Sequence, residues 1–342
     1  TGELRRVILE KVSITGRRDV GSLAGRLEGG KITDSMTSGV VEGKTYSTGG
    51  LVGWSSGDIK RSSAAGQVQG RNEVGGLVGR VEEGAVSESY ATAEVDGTST
   101  HTGGLVGLVS EGTVSTSFAT GRVNGENRTG GLAGTNRGKI ILSYATGDVN
   151  ATGDDAGGLL GNNTGEIRQS YATGNVFGNN FVGGLVGNSF KDSLSDIDPV
   201  IFRSYATGRV VGDDRIGGLA GHEAGRIEQS YATGSVEGQT MIGGLVGDAT
   251  GHITESYAAG RVDGIEHTGG LTGRGFFHRR VDNSFYDYES TNQWADGDED
   301  RRGTALTTGQ MQNKDTFTGA GWDFIGVWAI DPGVNGGYPH LK

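Results

Sequence analysis

The sequence contains no cysteine, only 3 prolines and no long run of apolar residues. The absence of cysteine excludes a disulfide scaffold and a thiolate metal site. Because a membrane-spanning helix needs about 20 consecutive apolar residues, we expect no membrane insertion by this segment. Positive charge is also scarce, since 30 lysines and arginines stand against 41 carboxylates and give a net charge of −11. That balance argues against nucleic acid as a partner, because phosphate backbones are bound by positive surfaces.

Glycine, in contrast, is abundant: it supplies 67 of the 342 residues, whereas hydrophobic residues make up only 33%. So small an apolar fraction favours a thin core along an elongated molecule over one large globular core. Many glycines belong to a signature, Gly-Gly-Leu-Val-Gly or a close variant, which recurs at a period of about 27 residues. A fixed period of this length is typical of proteins whose units stack on their neighbours. The ten copies begin at Gly21, Gly49, Gly75, Gly103, Gly130, Gly157, Gly183, Gly217, Gly243 and Gly269.

Each unit contains three short apolar stretches bounded by Gly, Asn or Asp, and each is too short for a helix. The signature leucine, an Ile or Val, and a later Val form three columns through the units, as Leu159, Ile167 and Val176 do in one of them. These columns predict an all-β fold, a parallel β-solenoid of about ten coils with three short strands per coil. We expect a right-handed solenoid, because parallel crossovers are overwhelmingly right-handed. The signature glycines should adopt positive φ at the corners and allow close backbone approach.

The repeats are expected to fill residues 1–274, and residues 275–342 should form the last coil and an irregular C-terminal cap. The spacing between the copies at Gly183 and Gly217 is longer than the others, which places an insertion at residues 188–202. The start of the sequence reads as an interior start, a processed terminus or a boundary, so further coils or another domain are expected before residue 1.

The signature, followed by Gly-x-Ile-x-x-Ser-Tyr-Ala-Thr-Gly-x-Val, resembles the GLUG repeat of large secreted and surface proteins of bacteria and archaea. Adhesins resembling filamentous haemagglutinin are among those proteins. The segments 322–324 and 337–341 also resemble the usual end of such arrays. The resemblance implies an extracellular or cell-surface region that is structural or adhesin-like and carries no catalytic residues. The early repeats depart from it, because residues 35–38 read Ser-Met-Thr-Ser where later repeats read Ser-Tyr-Ala-Thr.

The insertion at 188–202 is a candidate binding element, because insertions between repeats often lie on a binding face. It contributes three carboxylates, Asp192, Asp196 and Asp198. The cap contributes three of the four tryptophans, Trp294, Trp322 and Trp328, which are candidate binding residues as well. The alternative role of the cap is to cover the open edge of the last coil, which would otherwise pair with other strands.

A candidate calcium site lies in the same segment, where Asp296, Asp298 and Asp300 alternate along a loop. Alternating carboxylates are the spacing that a calcium loop needs. The full twelve-residue ligand pattern is missing, since Thr307 stands where the last glutamate would be. A solvated acidic loop is therefore the competing interpretation. Calcium is the only cofactor that the sequence suggests.

Three further sets of polar and aromatic residues are candidate sites. Asp154, Asn180 and Asp214 precede the signature and are interpreted as turn residues in left-handed backbone, with a cation site or a catalytic carboxylate pair as alternatives. His101 and His267 are interpreted as surface residues. An aromatic column should stack from coil to coil, with an exposed binding strip as the alternative. It comprises Tyr90, Phe118, Tyr144, Tyr171, Tyr205, Tyr231 and Tyr257.

These observations predict a non-enzymatic, extracellular scaffold or adhesin-like module of a larger protein, whose partner is a cell-surface glycan or protein. Two alternatives stay open. A filament-forming subunit would self-associate along the solenoid axis, which an uncapped N-terminal end around residues 1–15 would permit. A polysaccharide-processing β-helix enzyme would need three or more carboxylates converging on one groove, and no column of the sequence provides them.

Overall fold

The fold is a nearly all-β solenoid in which parallel strands stack through about ten turns, which confirms the predicted architecture. It was analysed in a computed structural model that describes residues 2–192, 198–275, 281–294 and 303–342. Equivalent residues pair in register from coil to coil, as Ile140, Ile167 and Ile201 do. Every repeat position therefore becomes a column along the axis.

Each full coil contains five short strands, so the prediction of three strands per coil is wrong. One coil consists of Leu160–Asn163, Glu166–Arg168, Tyr171–Ala172, Val176–Phe177 and Asn180–Gly183. The two missed strands each place one small or β-branched side chain inward, Ala172 in one and Val182 in the other. The inward residue is a small alanine in one column and varies among Val, Ile, Ala and Thr in the other, so neither column gave a strand signal. We number the five parallel sheets 1 to 5 in the order of these strands.

Sheets 1 and 2 flank the corner that follows the signature. Sheet 1 consists of Ala24–Leu27, Val52–Ser55, Val78–Val81, Val106–Val109, Ala133–Asn136, Leu160–Asn163, Val186–Ser189, Ala220–Glu223, Val246–Ala249 and Thr272–Gly275. Sheet 2 consists of Glu3–Arg5, Lys31–Thr33, Asp58–Lys60, Ala85–Ser87, Thr113–Ser115, Lys139–Ile141, Glu166–Arg168, Val200–Phe202, Arg226–Glu228, His252–Thr254 and Val281–Asp282.

Sheets 3 and 4 begin as one continuous set of strands and then separate. The first three strands are Ile8–Gly16, Met36–Gly43 and Ser63–Gly70. Sheet 3 continues with Tyr90–Ala91, Phe118–Ala119, Tyr144–Ala145, Tyr171–Ala172, Tyr205–Ala206, Tyr231–Ala232, Tyr257–Ala258, Phe285–Asp287 and Thr304–Leu306. Sheet 4 continues with Glu94–Gly97, Val123–Gly125, Val149–Ala151, Val176–Phe177, Val210–Val211, Val236–Glu237 and Val262–Asp263.

Sheet 5 leads back into the signature and closes the coil. Its strands are Tyr46–Gly49, Asn72–Gly75, Thr100–Gly103, Asn127–Gly130, Ala156–Gly157, Asn180–Gly183, Asp214–Gly217, Thr240–Gly243 and Glu266–Gly269. After the last coil, the described residues form three short α-helices, Tyr288–Thr291, Thr308–Met311 and Lys314–Gly319, and the 3-10 helix Asn335–Gly337. Trp328–Ala329 pairs with His340–Leu341 as an antiparallel ribbon.

The interior is divided into two apolar columns. The larger one contains the signature leucines, the sheet 2 isoleucines and the sheet 3 alanines, as at Leu185, Ile167 and Ala172. The smaller one lies between sheets 4 and 5 and consists mostly of valines such as Val176 and Val182. Since each coil buries only a few side chains, the stability of the fold accumulates through contacts between neighbouring coils.

The second signature glycine separates these two columns, and close packing is what requires it to be glycine. A Cβ atom on Gly218 would lie 2.1 Å from the carbonyl oxygen of Gly244 in the next coil and 2.9 Å from the Cβ atom of Ala232. The predicted close backbone approach is therefore confirmed. The predicted positive φ is wrong, because Gly218 and Gly244 are not among the glycines with positive φ.

Left-handed backbone occurs instead at two columns of other residues. One column is the residue that precedes the serine of each Ser-Tyr-Ala-Thr stretch, for example Gln169 with φ of 48°. The other lies two residues before the signature, for example Phe181 with φ of 55°. It is one position later than the Asp154, Asn180 and Asp214 column that was expected to be left-handed. The expectation failed because bulky residues are held in this conformation by the hydrogen bonds of the stacked coils on both sides.

The C-terminal cap packs against the side of the solenoid, over the end of sheet 3. Trp322, Trp328 and Phe317 form one buried cluster with Tyr231 and Tyr257 of the coils. The Tyr257 hydroxyl donates a hydrogen bond to the carbonyl oxygen of Pro339, at 2.5 Å. The ring of Tyr286 closes the larger apolar column, since a Cβ atom on Gly270 would overlap it. The cap thus covers both the last interior space and two rings of the aromatic column.

Candidate functional site

The two buried tryptophans of the cap are not available for binding. Trp328 is fully buried and Trp322 is 3% exposed, so the prediction that these two bind a partner is wrong. Their rings lie 4.6 Å apart and pack on Tyr257, which accounts for their presence by packing alone. Trp294 differs, because it is 78% exposed and contacts Tyr288 at 5.5 Å between ring centroids. It remains a predicted binding residue.

The residues of the predicted calcium site, Asp296, Asp298 and Asp300, lie outside the described residues. Within the described ranges, no group of three or more His, Cys, Asp or Glu side chains is arranged to hold a metal ion. The prediction of a calcium ion therefore stays a prediction.

The insertion carries one of its three candidate aspartates to the rim of a long groove. Asp198 is exposed and forms an ion pair with Lys191, at 3.1 Å, and both side chains line the groove. Asp192 is half-buried at the start of the insertion, and Asp196 lies outside the described residues. One of the three predicted aspartates is thus shown to line a concave surface.

The groove runs along the corner between sheets 1 and 2 and encloses about 1090 Å³. Six successive corners contribute to it, and five of them are centred on glycines that keep the floor free of side chains, whereas Pro199 stands at the centre of the fourth. A Cβ atom on Gly138, for example, would lie 2.1 Å from the carbonyl oxygen of Gly112 in the neighbouring coil. The floor is a strip of bare backbone between two rows of side chains. The corners are residues 111–113, 137–139, 164–166, 198–200, 224–226 and 250–252.

The charge of this groove is opposite to that of the chain. It is lined by five lysines and arginines but by only three carboxylates, whereas the whole chain has 30 and 41. The cations are Arg137, Lys139, Arg168, Lys191 and Arg226, and the carboxylates are Glu111, Glu166 and Asp198. A net positive groove on an acidic surface concentrates anions locally.

The five cations differ in how far they are neutralised. Arg168 pairs with Glu166 on its own strand and also lies over the ring of Phe202. Arg226 pairs with Glu228 at 3.4 Å. Across the described part of the chain, neither Arg137 nor Lys139 lies within salt-bridge distance of a carboxylate. The two flank the same corner glycine, and they are therefore the strongest uncompensated positive charge in the groove.

A column of polar side chains lies buried beneath the same corner. It consists of Asn136, Asn163, Ser189 and Glu223 in consecutive strands of sheet 1, and Asn136 donates to Asn163 at 2.9 Å. Glu223 accepts a hydrogen bond from the Gly225 amide at 2.6 Å, while its other oxygen has no partner among the described residues. Burial raises the pKa of Glu223 to about 8. Near neutral pH this side chain is therefore mostly an uncharged acid under the groove floor.

The aromatic column stacks as predicted. From Tyr90 to Tyr257 the ring centroids of neighbours lie 4.8–5.1 Å apart, with interplanar angles between 1° and 8°. The cap buries Tyr231 and Tyr257, whereas Tyr90 and the rings up to Tyr205 stay half-buried. Stacking between coils accounts for the column. The alternative of an exposed binding strip is weaker, because even the rings outside the cap are partly covered.

The column of Asp154, Asn180 and Asp214 is held by local hydrogen bonds. Asn180 donates to Asp154 at 2.9 Å, and Asp214 pairs with Arg215 at 2.5 Å. The Oδ1 atom of Asp214 is buried without a hydrogen-bond partner among the described residues. Asp154 and Asp214 lie two coils apart and do not form a converging pair of free carboxylates.

The two histidines of equivalent position differ. His267 is exposed as predicted, whereas His101 is half-buried. The Nδ1 atom of His101 lies 2.8 Å from the Thr135 hydroxyl, and burial lowers the pKa of His101 to about 4. His101 therefore stays neutral over the physiological pH range and serves the packing of neighbouring coils.

Comparisons with known proteins leave the family open. No family model matches the chain, and no solved structure matches it. A segment of 66 residues is 41% identical to a protein of Evansella cellulosilytica whose provisional name is Gly-rich membrane protein. That match covers 19% of this chain and 7% of the relative. No helix among the described residues is long and apolar enough to cross a membrane.

The groove was not predicted from the sequence, although most repeats contain a signal for it. The corner glycines recur once per unit, while the residues on either side of them vary in charge from coil to coil. An alignment of the corners shows that Arg137 precedes the corner glycine, whereas Lys139 and Arg226 share the column that follows it. What the alignment could not show is that the insertion adds Lys191 and Asp198 to the same surface.

Proposed function

We propose that the chain is a non-enzymatic, extracellular or cell-surface module of the GLUG-repeat type, which binds a surface glycan or protein through the groove between sheets 1 and 2. The observation that carries the proposal is a concave surface of about 1090 Å³ built on six coils of a stacked scaffold. Binding sites are preferentially concave, and sites on regular strands are held more firmly than sites on loops. The glycan or protein partner follows from the adhesin-like resemblance of the repeats.

The enzyme alternative is weaker, although the groove does contain three carboxylates. Glu166 is paired with Arg168, and Asp198 is paired with Lys191. Glu111 lies two coils from Glu166, which is about 10 Å at the spacing of stacked strands. Hydrolysis of a glycosidic bond needs two carboxyl groups facing each other across the bond, with an acid whose pKa is raised. The groove carboxylates do not supply such a pair.

We expect the purified chain to be retained on at least one class of immobilised surface glycan or surface protein, and to release no product from it. Retention should be measured by surface plasmon resonance, and product release by assaying new reducing ends after prolonged incubation. Release of reducing ends would support the enzyme alternative instead. Absence of retention on every glycan and protein tested would contradict the proposed function.

The filament alternative can be tested on the same preparation. Ile8 is 65% exposed and Leu4 is 42% exposed at the first described coil, so an apolar edge is present there. Electron microscopy that shows fibres in the absence of any binding partner would favour self-association over the adhesin-like role. Single particles that still bind a glycan would favour the proposed function.

A further inference from the structure

We infer that the ligand of the groove is an acidic polysaccharide, a carboxylated or sulfated chain lying along the solenoid axis. The inference rests on the proposed function and names the ligand class for the same groove. Its first basis is the reversal of charge, since five cations and three carboxylates line the groove of a chain whose net charge is −11. Such a local reversal has no role in solubility, and it selects anions over neutral ligands.

The spacing of the cations favours a polymer over a small anion. Lys139 and Arg226 occupy one column of sheet 2, three coils apart, through the register Lys139, Glu166, Val200 and Arg226. At the spacing of stacked strands, three coils correspond to about 14 Å. A single carboxylate or sulfate cannot contact both side chains. An extended chain with repeated negative charges can, because its charges follow one another along the axis.

The remaining lining favours a sugar chain over a nucleic acid or an acidic protein. Thr113 and Thr250 are half-buried along the groove, and their hydroxyl oxygens can accept hydrogen bonds from sugar hydroxyls. Of the residues that line the groove, none is Phe, Tyr or Trp. Single-stranded nucleic acid is held by stacking on such rings, and protein partners are anchored in apolar pockets by them. Neither means of recognition is offered here.

The test compares two double variants of equal charge change. In R137E/K139E the two unpaired groove cations are reversed. In R17E/R122E the charges of two exposed arginines are reversed. These arginines flank strands of sheets 3 and 4, away from the groove. The probes are polygalacturonate, which carries carboxylates, dextran sulfate, which carries sulfates, and neutral dextran as a control. Thermal melting of each variant checks that the fold is retained.

We expect the wild-type chain to bind at least one of the two anionic polymers and to bind neutral dextran at least about tenfold more weakly. The R137E/K139E variant should lose at least about tenfold in affinity, and R17E/R122E should lose much less. Affinity should also fall as sodium chloride is raised, because the charges are exposed to screening. Preference for polygalacturonate identifies a carboxylated ligand, and preference for dextran sulfate a sulfated one.

Three results would overturn the inference. Equal losses in the two variants would place the binding surface outside the groove. Equal binding of neutral dextran would show that charge is not recognised, although the proposed function would then still stand. Tighter binding of single-stranded DNA than of either polysaccharide would show that the ligand class is wrong. A chain that binds no surface glycan or protein at all would instead contradict the proposed function itself.

Discussion

The G218A variant is expected to lose more than about 4 kcal/mol of unfolding free energy, a loss in the range reserved for severe core defects. The added methyl carbon would lie 2.1 Å from the Gly244 carbonyl oxygen and 2.9 Å from the Cβ atom of Ala232. Overpacking against flexible side chains typically costs about 1–3 kcal/mol. The clash here involves the backbone of the next coil, which moves only if the stacking between two coils is broken. Urea denaturation followed by far-UV circular dichroism measures the loss.

The matched control is G309A, which makes the same chemical change where a Cβ atom would meet nothing within 4 Å. Gly309 lies in the short helix Thr308–Met311, where alanine is favoured over glycine by about 1 kcal/mol. The control should therefore be neutral or slightly stabilising. Equal stability of G218A and G309A would show that the signature glycine is not required for close stacking.

The second large effect is expected at Glu223 and depends on pH. Its carboxyl group titrates at a pKa of about 8 in the folded chain, because it is fully buried, against an ordinary value of 4.5. The folded state thus holds the proton more tightly than the unfolded state, and unfolding free energy should fall as pH rises from 4.5 to 8. By linkage the full difference corresponds to about 5 kcal/mol above pH 8 and to about 3 kcal/mol at pH 7.

The E223Q variant should remove this dependence, because glutamine keeps an acceptor for the Gly225 amide and carries no charge. We expect its stability to match the wild type near pH 4.5 and to exceed it increasingly up to pH 9, in urea unfolding curves at each pH. Glu83 is exposed, so E83Q is the control and should leave the wild-type profile unchanged. A constant difference between E223Q and wild type at all pH values would contradict the account.

The architecture was predictable from the sequence because each column repeats one chemical choice many times. The columns that include Leu159, Ile167 and Val176 repeat a large apolar residue in nearly every unit, so the sequence shows them. The strands of sheets 3 and 5 escaped, because their inward residue is a small alanine, as at Ala172, or varies among Val, Ile, Ala and Thr, as at Val182 and Thr102. The role of the glycines was misjudged for a different reason. Close approach and positive φ both favour glycine, and only the distances of the stacked coils tell the two apart.

The candidate site was less predictable than the fold. The composition of the cap cannot distinguish an exposed Trp294 from a buried Trp328, because burial depends on which rings the cap meets on sheet 3. The raised pKa of Glu223 depends on neighbours from other coils, so one strand alone gives no sign of it. The groove cations lie on corners that a reading of one repeat treats as ordinary loops. Their meaning emerges only when six corners are stacked.

Within each repeat, some positions build the scaffold and others line the groove. Positions that face the interior are fixed by packing, as Leu159 and Gly184 are. Positions beside the corner glycines vary in residue type and exposure, since one column contains the exposed Arg137, the half-buried Ala224 and the buried Thr164. A solenoid of this kind can therefore carry a ligand-specific surface without disturbing its core.

Hydrogen–deuterium exchange of the whole chain, with and without polygalacturonate at saturating concentration, tests the central claim that the groove is the binding surface. The account predicts slower exchange of the corner amides at residues 137–139, 164–166 and 224–226, and unchanged exchange on sheets 3 and 4. Slower exchange confined to the half-buried tyrosine column from Tyr90 to Tyr205, with the corner amides unaffected, would contradict it.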